Sequence, residues 1–260
     1  MKSRFDATLA GRKLTAAVPE ARVLDIKYTP ATIADSMYKT GYGSFATMTD
    51  RKYSGAAVQI EVEIHEYDPE VRNAACQALM QWAIKGGVLK TSDRPEQRLN
   101  VVCSNAPAIA SALKWTDRVS VQFTAAENPF WVADTPQQFT LAGPGSWSLS
   151  VDGCVDKARV TATIKSGTKT ASGSAITSFS LKCGSTTITL SGINVAKRDS
   201  IVIGYDGHGF LSIKTGSGTN LMKYRTGADE LLMDCGKTST VKITCNTAVT
   251  CVMEVRGNWL

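Results

Sequence analysis

The sequence lacks most of the features by which enzymes and metal proteins declare themselves. It holds two histidines in 260 residues and no Gly-x-Ser-x-Gly elbow, which leaves little for nucleophile-and-base catalysis. The seven cysteines, Cys76, Cys103, Cys154, Cys183, Cys235, Cys245 and Cys251, are odd in number and form no Cys-x-x-Cys pair. That argues against a disulfide framework and against a zinc site of common spacing, and most of them read as small core residues of a chain that folds under reducing conditions. No apolar run approaches the roughly 18 to 20 residues of a membrane-spanning helix, and no signal-peptide core follows the early basic residues, so neither membrane insertion nor export is expected. A dense basic stripe is also missing. The net charge of +6 arises from 16 basic and 14 acidic residues up to Ala133 and 13 and 9 after it, which excludes sequence-specific nucleic-acid binding as an expectation.

What is present is mostly strand and turn, with one long helix. Asp68 suits an N-cap and Pro69 the first helical position, where its missing N–H costs nothing. Val71, Ala75, Ala78, Leu79 and Trp82 then recur at three- and four-residue spacing, while Asn73, Gln77, Gln81 and Lys85 mark another face. The spacing predicts a helix over 69–85 whose apolar stripe, Val71, Ala75, Leu79 and Trp82, braces a sheet. Gly86-Gly87 ends it, and Asp93-Arg94-Pro95 reads as a second break.

Before the helix, residues 1–30 read as short strands. The Gly-, Ser-, Thr- and Tyr-rich stretch after Pro30 reads as a long hairpin or loop arm, with the reach to touch a neighbouring subunit. Val58, Ile60, Val62 and Ile64 alternate with Gln59, Glu61, Glu63 and His65, the period-two pattern of a half-buried strand. Two more strands are expected over 98–103 and 119–123. Punctuation by Asp134-Thr135-Pro136 and Ala142-Gly143-Pro144-Gly145 sets a domain boundary near 135. From Ser146 onward nine short strands separated by turns predict an all-β sandwich.

The candidate chemistry is thin. Glu61, Glu63 and His65 share one strand face, which a metal or an acid/base pair would need, but no other segment supplies converging ligands, and a solvated face is the simpler reading. Asp206-Gly207-His208-Gly209 reads as a hairpin loop rather than a catalytic pair. Gly236-Lys237-Thr238 matches the end of a phosphate-binding loop, yet Leu231 stands where its first glycine belongs. Trp115, Trp131, Trp147 and Trp259 offer a sugar-stacking platform if they gather on one surface. No cofactor or metal is expected.

The order of elements resembles the distal tail proteins (Dit) of long-tailed bacteriophages. The resemblance rests on Val58 to Ile64 leading into the helix with Leu79 and Trp82, and on Gly87-Val88-Leu89 through Asp93-Arg94-Pro95 to Cys103, where Leu99 replaces a common aromatic. It rests also on Val119 to Phe123 running into Asn128-Pro129-Phe130-Trp131, and on the ending from Asp234 through Cys245 to Arg256-Gly257-Asn258-Trp259-Leu260. The resemblance implies a mainly β chain: an α+β ring-forming domain over 1–135 with one long helix, and a galectin-like all-β sandwich over 136–260. It implies a homo-hexameric ring at the tail tip of the virion, assembled in the bacterial cytoplasm. The ring would join the tail tube protein to the baseplate hub or tail-associated protein, with tape measure and receptor-binding proteins nearby and a channel for DNA. Glu61, Glu63 and His65 would then be the candidate channel-facing row, their carboxylates repelling passing phosphates. No catalysis is implied. Alternative readings are a carbohydrate-binding module that contacts the host wall, another tail component such as a tube protein, and a tail-associated hydrolase. The galectin sugar residues are not matched, since His208 is followed by Gly-Phe-Leu.

Overall fold

A computed structural model describes residues 5–39, 46–105, 116–126, 128–154, 157–168, 171–206 and 209–259, with the backbone alone over 33–39, 46–53 and 116–117. The chain divides into two units, Met1–Val132 and Ala133–Trp259.

In the first unit, β1 (Ala7–Leu9), β2 (Arg12–Lys13), the single turn α1 (Leu14–Ala17) and β3 (Ala21–Thr29) come first. The expectation of strands alone over 1–30 is corrected here: Leu14 is fully buried, and α1 packs beside the long helix. β4 (Ile33–Lys39) and β5 (Ala46–Tyr53) pair with each other as an antiparallel hairpin outside the main sheet. β6 (Ala57–His65), α2 (Pro69–Ile84), β7 (Gly87–Thr91), β8 (Arg94–Asn105), β9 (Thr116–Ala125) and β10 (Trp131–Ala133) follow. The main sheet runs β2-β1-β7-β8-β9-β6-β3, with β10 on β8. Pro95, expected to mark a break, lies inside β8. It sits exposed near the strand's start, where an absent N–H costs no ladder bond.

α2 starts as its sequence dictates. The Asp68 carboxylate accepts from the Glu70 N–H at 2.8 Å, and Pro69 fills the first helical position. At 16 residues it is roughly 24 Å long. Gly86 ends it at φ +58°, and a Cβ there would lie 2.8 Å from the Val101 carbonyl oxygen, so only glycine fits the close approach to β8.

The second unit is a sandwich of two antiparallel sheets. Its strands are β11 (Gln137–Gly143), β12 (Gly145–Ser150), β13 (Lys157–Ser166), β14 (Ile176–Cys183), β15 (Thr186–Val195), β16 (Ser200–Tyr205), β17 (Leu211–Thr215), β18 (Arg225–Gly227), β19 (Leu232–Asp234), β20 (Thr238–Cys245) and β21 (Val249–Val255), while the short β22 (Asn258–Trp259) is in neither sandwich sheet. One sheet runs β11-β21-β13-β16-β17, with β19 on β13, and the other β12-β20-β14-β15-β18. Alternating residues such as Val160, Ile164, Ile201 and Met253 from the first meet Phe179, Leu181, Leu190 and Ile243 from the second in one continuous core. β11 was not expected as a separate strand; it pairs with β21 over its whole length. The chain is thus mainly β, with one long helix among the described residues.

Candidate functional site

The alternation along β6 sorts its residues as a half-buried strand requires. Val58, Ile60, Val62 and Ile64 are at most 1% exposed, Glu61 and Glu63 are partly exposed, and His65 is exposed. The neighbouring strands change what that face is electrostatically. Glu61 lies opposite Asp25 of β3, and the diagonal Lys27 ammonium donates to its carboxylate. Glu63 lies opposite Arg22 on one side and Arg118 on the other, with the Arg118 guanidinium 3.8 Å away. The Lys27 pKa is raised, chiefly by its hydrogen bond to Glu61 and then by that carboxylate's charge. Each glutamate thus has a cation from an adjacent strand beside it. His65 packs edge-on against Tyr67, with ring centroids 5.4 Å apart, and does not join the glutamates in a ligand set. Among the described residues no cluster of three or more His, Cys, Asp or Glu side chains has the form of a metal site.

The buried stripe of α2 is rotated from its expected position. Ala75, Leu79 and Trp82 are 4% exposed or less, joined by Arg72, Cys76 and Ala83. Val71, expected in the stripe, is 40% exposed and is corrected out of it, while Arg72 points inward and donates to the Glu66 carbonyl at 3.3 Å. Trp82 ties three parts of the unit together. Its indole N–H donates to the Arg12 carbonyl at 2.9 Å, and its ring meets Phe123 of β9 edge-on at 6.0 Å. The outward face carries Asn73, Gln77, Gln81 and Lys85, together with Val71 and Ile84, the latter 65% exposed.

A second constellation was not foreseen, because its residues are scattered through the sequence. The Tyr28 hydroxyl bonds Asp93 at 2.6 Å and Thr91 at 2.9 Å, and the Arg94 guanidinium sits 4.3 Å from the Tyr28 ring centroid and 5.3 Å from that of Trp131. Tyr28 and Trp131 also meet edge-on at 5.6 Å. Burial, reinforced by the Asp93 bond, raises the Tyr28 pKa. The cluster clasps the end of β3 to the β7–β8 turn, so the residues read as a break are a structural lock. The sequence signal was Asp93-Arg94 beside a turn, but nothing in it named the aromatic partners.

In the second unit Trp147 and Trp259 are each partly buried. Trp147 is partly buried against the sandwich core, Trp131 belongs to the first unit's core, and Trp115 lies outside the described residues. Gly207 and His208 also lie outside them. On either side of them, the Asp206 N–H donates to the Phe210 carbonyl at 2.9 Å, and the Asp206 carboxylate accepts from the Phe210 N–H. Arg159 and Glu230 pair at 2.6 Å, and Tyr205 lies beneath the Arg159 guanidinium, its hydroxyl held by the Leu231 backbone. Cys183 and Cys251 are fully buried, and burial pushes the Cys251 thiol up to about 12. Arg159 and Glu230 are thus matched to each other.

No protein-family model matches the chain, and no curated protein matches it in sequence. Solved structures do match it in fold. The crystal structure of the Dit protein (gp 19.1) of phage SPP1, described as a paradigm of the hub adsorption apparatus in phages infecting Gram-positive bacteria, superposes with a TM-score of 0.71 at 12% identity, covering 97% of this chain and 98% of that one. A chain of the phage p2 baseplate in its activated, strontium-bound conformation superposes with a TM-score of 0.50 at 8% identity, covering 97% of each. At these identities the likeness is one of fold.

Proposed function

We propose that this chain is a distal-tail-type structural protein of a bacteriophage virion, six copies of which form a ring between the tail tube and the baseplate hub. The observation that carries the reading is the fold likeness to a phage hub protein over 97% of this chain and 98% of the other, spanning both units in order. Three features of the molecule support it. The β4–β5 hairpin pairs with nothing else among the described residues, and a lone two-stranded hairpin is marginal in water unless something packs on it. A neighbouring subunit supplies that packing in a ring. The outward face of α2 mixes amides with Val71 and Ile84, the composition of a surface that meets another protein surface. And the charged clusters are structural pairs rather than an acid/base or nucleophile set.

In this reading the first unit builds the ring and the second is a galectin-like sandwich. The protein is not an enzyme. The tail tube, hub and tape measure proteins are its partners. DNA passes through the ring, and the row Glu61, Glu63 and His65 on β6 is the candidate to face it. Light scattering of the purified chain at high concentration tests the assembly. A mass six times the 27.8 kDa chain is the expected result, and a monomer that persists when tail partners are added contradicts it.

A further inference from the structure

One sheet of the sandwich has an outward face of hydroxyls and lysines. The strands β12, β20, β14, β15 and β18 contain no Asp or Glu at all. Their inward residues fill the core, and apart from Asn194 at the far end of β15 the outward side chains are serine, threonine and two lysines. The lysines, Lys182 of β14 and Lys242 of β20, stand directly opposite each other in the register. Both are exposed, and among the described residues neither pairs with a carboxylate. Arg225, the other cation of these strands, is engaged with the Ala228 carbonyl and Asp229. Beside the lysine pair, Ser180 and Thr189 share a hydroxyl bond of 3.0 Å.

Like charges directly opposite on antiparallel strands lie about 5 Å apart at Cβ and repel, which is a standing cost to the sheet. The first unit shows the usual remedy, since Glu63 there meets Arg22 and Arg118. Here no counter-charge is built in. The face has no aromatic ring for a sugar to stack on and no exposed apolar group for a protein to bury. It presents a field of hydroxyl donors and acceptors around one concentrated positive point, which is complementary to an anion carried by a chain of hydroxyls. Two cations on a flat sheet are too sparse to hold a duplex, whose affinity comes from many phosphate contacts.

We propose that this face binds a flexible polyol-phosphate polymer, with Lys182 and Lys242 straddling a phosphodiester and the serine and threonine rows contacting the polyol. The proposal does not depend on the ring.

Its test is binding of the full chain to immobilised synthetic poly(glycerol phosphate), with uncharged dextran and duplex DNA as comparison surfaces. The expected result is salt-sensitive binding to poly(glycerol phosphate) alone. The double variant Lys182→Gln/Lys242→Gln should bind about tenfold more weakly and flatten the dependence of log affinity on log salt by roughly 1.4, two contacts' worth for a flexible chain. Lys165→Gln, an exposed cation on β13 of the other sheet, should leave binding unchanged. Circular dichroism confirming that each variant is folded keeps the comparison valid. Failure to bind poly(glycerol phosphate), equal loss in Lys165→Gln, or equally tight lysine-dependent binding to DNA each overturns the proposal.

Discussion

Truncating Leu79 should cost far more than truncating Val71, although both are branched aliphatics on one helix. Leu79 is fully buried where α2 lies on the main sheet, and Val71 is 40% exposed. Removing a buried leucine down to alanine loses its transfer energy and leaves a partly collapsed cavity, about 3 kcal/mol at a site enclosed on all sides. The same change at Val71 loses a few contacts facing solvent, roughly 0.5 kcal/mol or less. Trp82→Phe should fall between them, at about 1 to 2 kcal/mol, because the Arg12 carbonyl loses the indole N–H that donates to it while most of the ring area against Phe123 is retained. Since the chain has two units, a single global melt would mix their transitions. Amide exchange resolved to peptides of β6 and β9 isolates the first unit. The expected loss of protection is roughly a hundredfold for Leu79→Ala and no more than about twofold for Val71→Ala. Equal losses for the two, or a larger loss for Val71→Ala, would refute the orientation of α2 and with it the role of the helix as a brace.

Other perturbations probe separate parts of the account. Gly86→Ala should destabilise the first unit by about 2 kcal/mol or more, because φ is +58° and the new Cβ would meet the Val101 carbonyl at 2.8 Å; Gly11→Ala, at φ +81° with nothing within 4 Å, should cost only about 1 kcal/mol, and thermal melts of the two variants check the difference. Tyr28 keeps its proton in the fold at pH values where the unfolded chain, with an ordinary tyrosine value of 10.0, has lost it. The unfolded state therefore binds fewer protons above pH 10, so stability from this group is present below that value and falls as pH rises past it. Tyr28→Phe should remove that alkaline decline in the first unit, and ultraviolet titration should show one fewer late-ionising phenol. Under native conditions a neutral maleimide should modify Cys154 first, while Cys183 and Cys251 resist until unfolding, since they are buried and their thiols are pushed up; intact-mass spectrometry counts the adducts.

Much of the fold was legible because it rests on local patterns. The period-two runs gave β6 and most strands of the sandwich, and Asp68-Pro69 with Gly86-Gly87 gave the helix limits to within a residue. β11 was hidden because its polar start, Gln137-Gln138, sits between two prolines, and only pairing with β21 makes it a strand. Val71 was misplaced because two stripes of the helix, one through residue 71 and one through 72, fit the spacing almost equally. Arginine's long stem let position 72 face inward with its guanidinium on the Glu66 carbonyl. The glutamates of β6 looked unmatched because their partners, Lys27 and Arg118, lie 34 and 55 positions away in sequence, and cross-strand register is not written in either strand alone. The same limit hid the Tyr28, Arg94 and Trp131 clasp and the opposed lysines of β14 and β20.

The ring is the central claim, and cryo-EM of the tail end of a virion carrying this chain tests it most directly. The account predicts a sixfold ring between tube and hub into which this fold docks, with each β4–β5 hairpin against a neighbouring copy and α2 at a subunit contact. A map in which the chain occurs as a single peripheral copy, or with the hairpin and the outer face of α2 bare to solvent, would contradict it.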